Sequence, residues 1–139
     1  MPEAGDTFIL TLQQTRGTPH LWVLLWGPAG AADAFLAVYL TTLRSHSDRT
    51  CILVPGDHPF IRRETAVAYH ETMRITSERL VRAIHDGNAS AREPVDARVL
   101  QAMREGFFAS QGTPHAFKEM ARRQFGAAGG EGGPDPSAT

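Results

Sequence analysis

From Leu21 to Trp26 the chain runs through six consecutive large apolar residues, inside the stretch HLWVLLWG (20–27). No single face of a strand or helix can hold six in a row, so the segment must be covered on both sides, as a buried strand is. Such a strand needs partners on both edges, and the sequence around it supplies them. In TFILTLQQ (7–14), Phe8, Leu10 and Leu12 alternate with polar Thr7, Thr11 and Gln13, the period of a half-buried strand. AFLAVYLTT (34–42) reads as a third strand, with CILV (51–54) and TAVAY (65–69) as two shorter ones. TRGTP, GPAGAAD and SHSD fall between these runs as loops and turns. Strict alternation along 20–27 puts Trp22 and Trp26 on the same face, where core or an interface between copies is a better use for them than base stacking.

The second half changes period. In TSERLVRAIHDG (76–87), Thr76 or Ser77 caps a helix with the stripe Leu80, Val81 and Ile84, and Gly87 stops it. VDARVLQAMREGFFAS (95–110) starts at Asp96 as N-cap and carries Val99, Leu100, Met103 and Phe107 on one face. TPHAFKEMARRQFG (113–126) has Thr113 as N-cap, Pro114 at the first helical position and Gly126 as the stop. Its stripe is Phe117, Met120, Ala121 and Gln124 or Phe125. Strands followed by helices predict a mostly β, α+β fold: a small antiparallel barrel or sheet with two to three helices packed at one end. Residues 1–125 are expected to form one domain, and the Gly- and Pro-rich 126–139 a disordered tail.

Charge and cysteine content narrow the functional classes. Lys+Arg 14 against Asp+Glu 15 gives a net charge of −1, so no strongly basic face is advertised, although eleven of the basic residues cluster in 62–123. The arginine excess over lysine suits bidentate phosphate contacts, and GC-rich coding would produce it as well. With Cys51 as the one cysteine, a disulfide framework is excluded within the chain. The amino terminus has no signal-peptide pattern and no apolar run reaches membrane-spanning length, so a cytoplasmic protein without membrane contact is expected. The six histidines show no metal-ligand spacing, and neither a metal nor another cofactor is expected.

PGDHPFI (55–61) is the most unusual local motif. Pro55 and Gly56 suit the central positions of a type II turn, Asp57 can accept from nearby backbone N–H groups, and His58 is held extended before Pro59. Phe60 and Ile61 would then plug an apolar gap. All of this describes a structural corner. The functional alternative makes His58 an acid or base oriented by Asp57. Arg62 and Arg63 follow, suited either to RNA phosphates or to solvent beside Glu64.

Several segments, taken in order, resemble the MazF/PemK family of growth-inhibiting toxins. GDTFILTL (5–12) is similar to the family's opening GDIVLVDL, and a Gly-bearing loop, here QQTRGTP, follows it. HLWVLL stands where the family has RPALVLS, and AVYLTT (37–42) resembles a strand ending Pro-Ile-Thr. MRITSERLVRAIHDG and VDARVLQAMREG resemble the ending IRTLDKERL…G…L…E.L..V. The resemblance runs from about Gly5 to Gly106 and leaves out the last helix.

The resemblance implies an SH3-like barrel with a C-terminal helix, a homodimer, and an antitoxin protein laid across the dimer groove. It also implies metal-independent cleavage of single-stranded RNA, in which an Arg before the second strand and a Thr ending the third assist attack of the ribose 2′-hydroxyl on the adjacent phosphate. The Arg position falls near His20, so RP has become HL, and the long PGDHPFI corner is a second departure. The Thr carries over as Thr41, or as Thr42 in the alternative register. His20 can serve as general acid or base, with His58 as a second one, and Arg16 can stabilise a phosphorane from the loop. The expected function is therefore the toxin of a type II toxin–antitoxin system, an endoribonuclease. The alternatives are a non-catalytic peptide- or protein-binding module on the same barrel, and a toxin with another target.

Overall fold

The computed structural model describes residues 1–11 and 17–127. Seven strands form one antiparallel sheet: β1 (Thr7–Thr11), β2 (Pro19–Ala29), β3 (Ala34–Thr42), β4 (Ile52–Leu53), β5 (Thr65–Val67), β6 (Met73–Thr76) and β7 (Ala89–Arg92). Among the described residues three α-helices complete it: α1 (Ser77–His85) between β6 and β7, then α2 (Ala97–Ala109) and α3 (His115–Gln124). The strand order is β4-β5-β3-β2-β1-β7. The long β3 uses one edge twice, pairing β6 through Ala34–Ala37 and β5 through Leu40–Thr42. This is the predicted α+β arrangement dominated by antiparallel sheet. The paired strands leave an opening between β6 and β7, and α1, which packs on both, lies across it.

β2 is covered on both faces, as its apolar run requires. Leu21, Val23 and Leu25 join Leu36, Val38, Leu40 and Val67 in a core closed by Val99, Met103 and Phe107 of α2 and Ala121 of α3. Trp22 and Leu24 join Phe8, Leu10, Phe35, Ala37 and Ile75 in a second core closed by Leu80 of α1. The two tryptophans do not share a face. Alternation breaks at a β-bulge between Leu24 and Trp26, opposite Ala37 and Leu36, so Trp26 turns into the α2 core while Trp22 stays in the other. There Trp26 packs edge-on to Phe107 at 4.9 Å.

β6 and β7 were not anticipated. Their sequences, MRIT and ASAR, are short and half polar, and what makes them strands is the pairing offered by β3 and β1. The sheet's first strand ends at Thr11 within the described residues, so the expected extension through Gln14 lies outside them, as does the 128–139 part of the tail. Thr76 and Asp96 cap α1 and α2 by accepting from Arg79 N and Val99 N. α1 buries Leu80 alone of its expected stripe: Val81 and Ile84 remain exposed. Thr113 does not cap α3. Its hydroxyl is buried and donates to the Phe107 carbonyl, so it ties α3 to the end of α2, and Pro114 takes the cap position.

Candidate functional site

His20 and Thr41 lie at the same end of the sheet because β2 and β3 are antiparallel: Leu21 pairs with Leu40, and each of the two is one residue beyond that pair. His20 follows the side of Trp22, at the open end of the α1-side core. Its ring stacks on Tyr39 at 4.1 Å, and Tyr39 is edge-on to Trp22 at 5.1 Å. Three rings thus run from the protein surface into the core. Burial, with a smaller effect from the Glu71 carboxylate, raises the Tyr39 phenol above its ordinary pKa, so the ring supporting His20 stays uncharged.

His20, Thr41 and Thr42 line a cleft of about 370 Å³ together with Arg44, Phe60, Arg62 and Arg63. A neighbouring cleft of about 470 Å³ shares Thr41, Thr42 and Arg44 and extends to Tyr39, His46 and His70. Arg62 and Arg63 arrive from the segment before β5, whose pairing of Thr65 with Thr42 brings that segment to the β3 end. Among the described residues, none of Arg44, Arg62 and Arg63 has an acidic ion-pair partner. Unpaired guanidiniums around threonine hydroxyls make a site suited to an anion, phosphate above all.

The structure therefore brings together His20, Thr41, Thr42, Arg62 and Arg63. Arg16 lies outside the described residues. His58 does not join them. It is buried, its Nδ1 accepts from the Phe60 N–H at 3.0 Å, and its Nε2 meets the Glu93 carbonyl. With one nitrogen accepting and the other donating, the imidazole is fully engaged as a cross-brace. The same Glu93 carbonyl accepts from Thr7 Oγ1 at 2.8 Å, joining the corner to β1 and to the end of β7.

Asp57 is committed elsewhere too. Asp57 N donates to Val54 O at 3.0 Å across a turn whose Gly56 has φ of +105°, a left-handed value glycine accepts without strain. Its carboxylate accepts from Val54 N at 2.8 Å and from Arg98 at 2.7 Å. Those bonds, the Val54 N–H first and Arg98 next, hold its carboxyl below the usual carboxylate range. A depressed pKa contributes stability above the unfolded value near 3.9 and loses it as pH falls through the folded one. Asp57→Asn is expected to cost about 1 kcal/mol at neutral pH, with the gap to wild type closing below about pH 4 in chemical denaturation.

Arg44 and Phe60 are groove residues that sequence reasoning missed. Phe60, expected to plug an apolar gap, is 49 % exposed, while its neighbour Ile61 is buried. The signal for Arg44 is positional: it lies two residues beyond the strand-ending Thr42. Among the described residues, no cluster of three or more His, Cys, Asp or Glu is placed to hold a metal ion, and no helix is long and apolar enough to cross a membrane.

The chain matches no protein-family profile, and no curated protein is significantly similar to it.

Proposed function

We propose that the cleft at His20 binds single-stranded RNA and cleaves it without a metal, as the toxin of a toxin–antitoxin pair of MazF/PemK type. The observation that carries this reading is the convergence on one cleft of His20, Thr41 and three guanidiniums that have no acidic partner among the described residues. In the reaction the 2′-oxygen attacks the adjacent phosphorus and the P–O5′ bond breaks, leaving a 2′,3′-cyclic phosphate and a 5′-hydroxyl. His20 accepts the 2′-hydroxyl proton, and the departing 5′-oxygen takes one from solvent. Thr41 donates to a non-bridging phosphate oxygen, and the arginines offset the charge gathering on the phosphorane. The same reading expects a cytoplasmic homodimer whose expression arrests growth until an antitoxin protein covers the groove.

The test is incubation of the purified protein with a long single-stranded RNA in excess EDTA. Discrete fragments with cyclic-phosphate and 5′-hydroxyl ends are expected. Intact RNA from a folded protein would overturn cleavage. A second reading, binding without catalysis, is favoured by one feature: among the described residues His20 is the only histidine on this cleft and no acidic residue lines it, so two such groups there do not supply both acid and base. RNA retained but uncut would select that reading.

A further inference from the structure

The PGDHPFI corner holds a large apolar ring outward. Phe60 is fixed from behind: its N–H is bound to His58 Nδ1, Ile61 N donates to the His58 carbonyl at 2.9 Å, and His58 is buried and braced against Glu93. The next residue, Ile61, is buried, while the Phe60 ring stays half exposed. Its position is specific. Phe60 and Arg62 form the shared wall between the His20 cleft and a further cleft of about 510 Å³ that continues to Arg92 and Glu93.

An exposed aromatic face with Arg62 beside it and Arg92 in the adjoining cleft suits an unstacked nucleobase and its flanking phosphates: the ring takes the base, and the cations take the backbone. We propose that Phe60 is a stacking residue that receives the nucleobase next to the phosphate held at His20. The inference rests on the RNA reading above, and it gives the corner a purpose that a plain turn would not need.

The test measures binding of a labelled, mixed-sequence, single-stranded oligoribonucleotide carrying 2′-O-methyl groups, which removes the attacking hydroxyl and isolates affinity from cleavage. Phe60→Ala and Phe60→Leu are expected to weaken binding about 5- to 150-fold, with Phe60→Tyr close to wild type, since the aromatic face is retained only in the last. An abasic oligonucleotide should narrow the difference between wild type and Phe60→Ala. Because the ring is half exposed, thermal melts of the variants should match wild type. Equal affinity of wild type and Phe60→Ala for the RNA overturns the stacking role and leaves RNA binding standing. Wild-type protein that binds no oligonucleotide overturns both. A Phe60→Ala variant with unchanged RNA affinity but a smaller sedimentation coefficient overturns the proposal in favour of a contact between copies of the chain.

Discussion

His20→Ala is expected to lower RNA cleavage about 10²- to 10⁴-fold, the usual contribution of one positioned acid–base group. Affinity for the 2′-O-methyl oligonucleotide should stay within a few-fold of wild type, because the arginines that bind phosphate are untouched. The ring lies at the mouth of the sheet rather than in either core, so its removal uncovers Tyr39 without opening a cavity beneath it. Thr41→Val keeps the shape of the side chain and removes only the hydroxyl, and a smaller loss of rate is expected. A His20→Ala protein that folds, binds and still cuts RNA at the wild-type rate would remove His20 from the mechanism. Single-turnover rates with protein in excess separate the chemical step from binding and make the comparison direct.

Gly106→Ala is expected to cost about 3 kcal/mol, although alanine is the better helix former. A Cβ at this position of α2 would stand 2.2 Å from the Tyr69 hydroxyl oxygen, 3.0 Å from its ring carbon Cζ and 3.1 Å from Cys51 Cβ. None of these atoms can retreat cheaply. Tyr69 is fully buried, donates to the Met103 carbonyl at 2.7 Å and packs on Phe107, while Cys51 lies beneath it. Burial, followed by the neighbouring Cys51 and Asp48, pushes the Tyr69 phenol far above its ordinary pKa, so it stays protonated and donating. Relieving the overlap means shifting α2 or giving up that hydrogen bond, and overpacking of this kind typically costs 1–3 kcal/mol, occasionally more. The gain of about 1 kcal/mol from replacing a helical glycine does not offset both. Adding Tyr69→Phe removes the nearest atom and should recover part of the loss, so the double-mutant cycle is expected to be non-additive. Denaturant midpoints for the four proteins measure it. A Gly106→Ala variant as stable as wild type would mean that α2 has room to move away from the sheet.

These two sites show what the sequence could and could not disclose. The double-sided burial of β2 followed from six adjacent apolar residues, and Asp96, Thr76, Gly87 and Gly126 marked helix ends because caps and left-handed stops depend on local chemistry. The bulge near Leu25 was hidden, since an extra residue in a uniformly apolar run leaves no break in the pattern, and it redirected Trp26. β6 and β7 were hidden because their pairing partners, not their own side chains, make them strands. Gly106 carried no sign of its role, which depends on Tyr69, distant in the chain. At the candidate site, the meeting of His20 with Thr41 was readable from strand ends. The inward commitment of His58 depended on the Glu93 carbonyl, 35 residues away. The half exposure of Phe60, beside a buried Ile61, had no local signal either.

Because β2 is the common wall of both cores, the two halves of the molecule have no separate route to unfolding. Opening the α1 side exposes Trp22 and Leu24, opening the α2 side exposes Leu21, Val23 and Leu25, and either event strips one face from the strand that supports the other. The chain is expected to melt as one cooperative unit, with the amide protons at the centre of β2 the last to exchange with solvent in a hydrogen-exchange measurement.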